Sequence, residues 1–119
     1  MSDVKMFKKA EISFAPYGGP PGNAEIGRLV GPELSRTMGA GVAIFENGVS
    51  IPWTVLYDEV VVVLEGHFTL RSGDEVFECD PGDVLWIPEN TPLVYEAKDR
   101  AVVFYSLYPV DWRERHGVA

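Results

Sequence analysis

One acidic residue stands at the head of the most apolar run in the chain. Residues 48–66 read Gly-Val-Ser-Ile-Pro-Trp-Thr-Val-Leu-Tyr-Asp-Glu-Val-Val-Val-Val-Leu-Glu-Gly, so Glu59 immediately precedes five consecutive aliphatic residues, Val60 to Leu64. The run is too short to cross a membrane as a helix. Its β-branched content and bounding glycines predict a strand covered on both faces. Side chains alternate along a strand, so one face should carry Trp53, Val55, Tyr57, Glu59, Val61 and Val63. Desolvation penalises a carboxylate placed among such neighbours unless a donor is close. No histidine or lysine falls on that face, which leaves Tyr57 and Tyr95 as partners.

The rest of the chain is punctuated in the same style. Nine prolines and twelve glycines in 119 residues suit many short strands joined by tight turns better than a helical bundle. Weak alternation over residues 1–15 suggests an edge strand, and Pro16 to Asn23 reads as a surface loop. Strands are predicted over 24–30 and over 37–46, the second ending at an Asn47-Gly48 turn. Further strands follow over 67–71, 75–79, 84–87, 93–97 and 101–108. Turn signals separate them at Ser72-Gly73-Asp74, Asp80-Pro81-Gly82-Asp83 and Pro88 to Pro92. Val110 to His116 allows a helical turn or two with Asp111 as its cap. This pattern predicts an all-β sandwich or barrel. The length predicts one domain over residues 1–119, with a core over 37–108, an N-terminal arm over 1–23 and a C-terminal tail over 109–119.

Charge and chemistry-bearing residues narrow the functions. Ten basic residues against eighteen acidic ones give a net charge of −8, which repels nucleic acid and anionic membrane surfaces. Cys79 is the only cysteine, so no internal disulfide can form and a reducing, cytoplasmic setting is expected. Flanked by Glu78 and Asp80, its thiol should be inert. The N-terminus lacks an apolar signal core. Gly18-Gly19-Pro20-Pro21-Gly22 lacks the lysine and serine of a phosphate loop. Ser50 and Ser106 have no histidine on a neighbouring face, so a Ser-His-Asp triad is not supported. Asp58 and Asp83 read as turn residues. Trp53, Trp86 and Trp112 read as packing groups, since small barrels need filling.

Two stretches resemble the two motifs of the cupin superfamily, a jelly-roll β-barrel. The first is the apolar strand with Glu59 and Gly66, where cupins carry two histidines ahead of a glutamate and a closing glycine. The second is Pro81-Gly82-Asp83-Val84-Leu85-Trp86-Ile87-Pro88-Glu89-Asn90-Thr91-Pro92-Leu93, where cupins carry a Pro-Gly-Asp turn, a proline and a histidine. The resemblance implies a cupin-type jelly-roll barrel with at most a short C-terminal helical turn. The positions of the three histidines fall on Trp53, Val55 and Leu93. Only His67 and His116 exist in the chain, one after a turn glycine and one in the tail, so no structural metal or other cofactor is expected. Trp53-Thr-Val-Leu-Tyr-Asp-Glu59 together with Tyr108-Pro109-Val110-Asp111-Trp112 is similar to the cupin domain of the EutQ family. That resemblance implies a link to ethanolamine-degrading microcompartments and an acetate kinase activity.

Three functional readings follow. In the first, Trp53, Val55, Tyr57, Glu59, Leu93 and Tyr95 line a pocket that binds a small molecule, with Glu59 as polar anchor. In the second, Glu59 is a general acid or base assisted by Tyr57 or Tyr95, as in epimerases and isomerases on related barrels. In the third, Glu59 is a relic of a metal site in a filled barrel and the protein is an assembly component. If Glu59 points inward, Leu56, Val60, Val62 and Leu64 point outward and need a cover. Either the N-terminal segment or a second copy must supply it, and a homodimer is expected.

Overall fold

A computed structural model describes residues 3–17 and 23–118; Met1, Ser2, the Gly18 to Gly22 part of the expected loop, and Ala119 lie outside the described residues. In chain order the strands are β1 (Ala15–Pro16), β2 (Ala24–Val30), β3 (Gly39–Glu46), β4 (Val49–Thr54), β5 (Asp58–Gly66), β6 (Phe68–Ser72), β7 (Glu75–Cys79), β8 (Val84–Ile87), β9 (Pro92–Ala97) and β10 (Arg100–Tyr108). A single helical turn, α1 (Trp112–Arg115), follows. Six strands form one sheet in the order β1-β2-β3-β10-β5-β8, and β4-β9-β6-β7 form the other. Every pairing is antiparallel. The fold is an all-β jelly roll.

The apolar stretch does not run as one strand. It breaks at Val55-Leu56-Tyr57, and its halves join different sheets as β4 and β5. The break leaves no orphaned backbone at Val55, whose N–H donates to the Thr91 carbonyl at 3.1 Å and whose carbonyl accepts from Asn90 N–H at 2.8 Å. The inward alternation nevertheless survives, with Val55, Tyr57, Glu59, Val61 and Val63 all buried. Glu59 sits between Leu107 of β10 and Ile87 of β8 in register. Gly66 ends β5 at φ 77°, where a Cβ would run into the Arg100 carbonyl.

Alternation also fills the interior from the other strands. Ala43 and Phe45 of β3, Leu93, Tyr95 and Ala97 of β9, and Val103, Tyr105 and Leu107 of β10 join one buried cluster. Phe45, Phe68 and Tyr95 stack with ring centroids 5.3 to 6.1 Å apart, within the range in which aromatic pairs attract.

Three local expectations need correction. Residues 3–14 form no edge strand: only Ala15 and Pro16 pair with β2, and a 3-10 turn occupies Lys9–Glu11. Ile12 and Phe14 instead lie over Gly27 of β2. Trp86 is not a packing group, being 62% exposed. It pairs across strands with Val60, as Val84 does with Val62, so an apolar strip remains open on the outer face of β5 and β8. Asp111 holds the N-cap position of α1 without capping it, because its carboxylate accepts from Arg115 Nε at 2.7 Å.

Candidate ligand pocket

Glu59 opens on a cavity of about 480 Å³ between the sheets, within the size range of small-molecule sites. The Phe45, Phe68 and Tyr95 rings and Val61 form its inner wall. Ile26, Ala43, Val103 and Leu107 line the side that faces the larger sheet. Tyr17, Arg28 and Trp53 also line it, together with Asp111, Trp112, Arg113 and Glu114 from the C-terminal turn. Space for this arrangement depends on Gly41, where a Cβ would collide with the Tyr105 hydroxyl and the Gly27 carbonyl.

The polar groups inside form two short relays. Tyr95 donates its hydroxyl to Glu59 Oε1 at 2.9 Å. Trp53 Nε1 donates to the Tyr57 hydroxyl at 3.3 Å. Glu59 Oε2 has no hydrogen bond among the described residues, yet it is not a sealed orphan, because among those residues no fully buried side-chain oxygen or nitrogen lacks a partner. That oxygen therefore faces the cavity.

Burial dominates the protonation of the site. It pushes the Glu59 carboxyl up to about 7, and the Tyr95 hydrogen bond pulls it only part of the way back. Burial and then the nearby Glu59 charge raise the phenols of Tyr57 and Tyr95 far above the ordinary tyrosine value, and Tyr17 goes to about 12. Tyr105 is also raised by burial, with Arg28 opposing. The tyrosines are thus neutral hydroxyl donors at neutral pH, and Glu59 is poised between acid and base.

Of the residues expected to form the site, Trp53, Tyr57, Glu59 and Tyr95 all line this cavity. Val55 and Leu93 are buried in the core but do not line it; Leu93 borders a shallow depression with Pro52, Leu56 and Pro92. Sequence reasoning missed Tyr17, Arg28, Tyr105, Trp112 and Arg113. Trp112 had a signal in the Tyr-Pro-x-x-Trp ending, and it closes the pocket by packing on Tyr57 at 5.0 Å and Trp53 at 6.1 Å. Trp53 and Trp112 do pack against the core, as expected, and their rings also border the cavity.

The metal that typical cupins hold does not suit these residues. Trp53, Val55 and Leu93 offer no ligand lone pairs, leaving Glu59 alone. Among the described residues no group of three or more histidine, cysteine or acidic side chains is placed to hold a metal ion. His67 lies elsewhere, exposed, with Nδ1 3.0 Å from Asp80 and Nε2 3.6 Å from Glu78. Burial, with Asp83 and Asp80 adding, raises the Cys79 thiol above its ordinary value, which keeps it protonated.

The family model for the ethanolamine utilisation protein EutQ matches residues 3–114. The chain belongs to the EutQ family. It is 28% identical over 111 residues to a Salmonella typhimurium protein named acetate kinase EutQ, and 27% identical to the Escherichia coli protein of that name. The match takes in 92% of this chain and 48% or 47% of those relatives, so this EutQ-family chain spans about half their length. A solved structure of a putative ethanolamine utilization protein Q from Salmonella typhimurium has a TM-score of 0.84 at 28% identity, covering 90% of this chain and 87% of that one. An RmlC-like cupin from Shewanella frigidimarina has a TM-score of 0.74 at 14% identity, covering 89% of this chain and 91% of that one, and speaks to fold alone. Among the described residues no helix is long and apolar enough to cross a membrane.

Proposed function

We propose that this EutQ-family cupin binds a small molecule between its sheets, anchored by Glu59 and Tyr95 and walled by Trp53, Tyr57 and Trp112. One observation carries the reading: Glu59, the one buried polar or charged residue among the described residues, has one oxygen held by Tyr95 and the other on a cavity whose walls beside it are Phe45, Val61 and Phe68. A filled assembly component has no use for that arrangement, since burying an unneeded carboxyl costs stability. The relatives' names suggest a role in ethanolamine utilisation, and the free Cys79 suits a cytoplasmic setting. Fragment screening by thermal shift tests the reading. Hits that stabilise the native protein and fail on Glu59→Gln and Trp112→Ala support it, and hits indifferent to both substitutions defeat it.

A second reading is supported by the Glu59 carboxyl lying near 7. A group so poised can give or take a proton at physiological pH, with Tyr57 and Tyr95 as neutral donors. Isomerase-type chemistry on a bound metabolite would use it in that way, and the acetate kinase activity in the relatives' name is a further alternative. Turnover of a screened ligand, or of acetate with ATP, that disappears in Glu59→Gln would select the enzyme. Binding without turnover selects the binding protein.

The proposal includes a homodimer. Trp86, Val84 and Leu64 are 62%, 61% and 48% exposed, and they form one strip with Val60 across β5 and β8. An isolated chain would leave that strip in water.

A further inference from the structure

The aromatic side chains around the cavity fall into two groups. On the inner wall, Phe45 of β3, Phe68 of β6 and Tyr95 of β9 come from three strands, yet their ring planes are inclined by only 30° to 37° to one another. Beside the C-terminal turn, the Trp112 ring is inclined at 54° to Tyr57 and at 66° to Trp53. All six rings line the same cavity. Ring contacts contribute beyond the area they bury, so walls of this kind favour a planar aromatic ligand over a saturated one of equal size.

Hydrogen-bonding capacity on these walls is unevenly used. Trp53 Nε1 donates to the Tyr57 hydroxyl and the Tyr95 hydroxyl donates to Glu59 Oε1, so both of those donors are engaged. Glu59 Oε2 is left without a hydrogen bond among the described residues, on a side chain that is 5% exposed. An ionised carboxylate only accepts. What the cavity lacks beside Phe45, Val61 and Phe68 is therefore a donor, and a ligand that brings one removes the cost of an unmet acceptor.

The number and charge of that donor are also constrained. An ammonium group carries three N–H donors. Beside Glu59 one carboxylate oxygen is open, so the surplus N–H groups would be buried without partners. A carboxylate or phosphate brings further acceptors to a place where an acceptor is already unmet, and it also meets the Glu59 charge. Apart from Glu59, the lining sets Arg28 and Arg113 with Asp111 and Glu114. Two charges of each sign select neither a cation nor an anion.

We infer, resting on the pocket reading above, that the ligand is an uncharged planar aromatic molecule with a single N–H or O–H donor, its ring held between the wall of Phe45, Phe68 and Tyr95 and the group of Trp53, Tyr57 and Trp112, and its donor given to Glu59 Oε2. A cavity of about 480 Å³ has room for a fused two-ring compound.

The test is a chemical-shift titration of the full chain by NMR at pH 8, where a carboxyl that titrates at about 7 is chiefly ionised. The probes are indole and phenol. 1-Methylindole and anisole keep the ring without the donor, cyclohexanol keeps the donor without the aromatic ring, and benzylamine and benzoate carry a charge of either sign. Indole and phenol should bind about tenfold tighter than their methylated analogues and than the charged compounds, the size expected of one hydrogen bond to a charged group. Phenol should bind about threefold or more tighter than cyclohexanol. Glu59→Gln leaves its oxygen with Tyr95 and turns its N–H donors to the cavity, so indole should lose about tenfold while 1-methylindole is unchanged. Trp112→Leu, in the C-terminal turn outside both sheets, should narrow the gap between phenol and cyclohexanol. If the methylated analogues bind as well as their parents, if cyclohexanol binds as well as phenol, or if benzylamine or benzoate binds best, the inference is overturned; the pocket reading stands as long as Glu59→Gln weakens the compound that does bind. If none of these compounds binds the native protein, the inference falls, and the fragment screen decides the pocket reading separately: hits lost in Glu59→Gln keep it, and an empty screen removes it.

Discussion

Replacing Glu59 by glutamine should make stability less sensitive to pH, and the structure sets both sign and size. The folded carboxyl titrates at about 7 against an ordinary value of 4.5. A raised value means that the fold prefers the protonated form. Its stabilising contribution is therefore complete below pH 4.5 and is lost as pH climbs through 7. At about 1.4 kcal/mol per pH unit, a shift of this size is worth about 3 kcal/mol, and burial leaves little solvent to screen it. Glutamine keeps the shape and an oxygen for Tyr95 but cannot ionise. Urea unfolding of both proteins from pH 4 to pH 8.5 isolates the effect, because other groups titrate alike in each and cancel in the difference. The variant should gain on the native protein by about 3 kcal/mol across that range, most of it between pH 4.5 and 7. A difference that stays within about 1 kcal/mol throughout would refute a desolvated carboxyl at this position. A variant that unfolds much earlier at every pH, with ligand still bound, would make Glu59 structural.

Tyr95→Phe should strand Glu59 Oε1 without its donor, lowering stability by about 1–3 kcal/mol and moving the carboxyl above 7, read by carbon-detected NMR titration. Val63→Ala removes methyls from a site that is buried but off the cavity wall, so it should cost about 2 kcal/mol in thermal unfolding and leave ligand binding intact. Gly41→Ala should do the reverse in emphasis: its Cβ displaces the Tyr105 hydroxyl at the cavity, so ligand-induced thermal shifts should shrink alongside an overpacking cost of about 1–3 kcal/mol. Trp86→Arg places a charge in the exposed strip, and light scattering should show a dimeric native protein and a monomeric variant at equal concentration.

What the sequence disclosed was local alternation and punctuation. Strand β2 has the bounds that periodicity assigns, and the two-residue turn at Asn47-Gly48 has both residues at positive φ, as hairpin turns of that composition require. The division of the apolar stretch into β4 and β5 was not legible. A sheet change costs nothing in alternation, so Val55 and Tyr57 keep the pattern while the backbone turns. What fixes the break is bonding to Asn90 and Thr91, residues that lie in another motif. Residues 3–14 misled for a related reason: alternation of Ile12 and Phe14 describes their packing on Gly27 as well as it describes a strand.

The candidate site divides along the same line. Glu59 and Tyr95 could be paired from sequence because alternation puts both inward, and a buried carboxyl needs a donor of the kind a tyrosine provides. Arg28 and Arg113 could not, because each is an ordinary surface residue in its own segment. Only the return of the chain after β10, which sets Trp112 against Trp53 and Tyr57, brings Arg113 to the cavity that Arg28 borders from β2. The residues that stand where a metal-binding cupin has imidazoles also support this closure. Trp53 and Tyr57 stand in the stretch where a typical cupin presents imidazoles, and they supply the aromatic surface on which Trp112 rests. Trp112 rests on both rings and Arg113 lies over Trp112, so Trp53→Ala should loosen this side of the pocket even though Trp53 itself donates only to Tyr57.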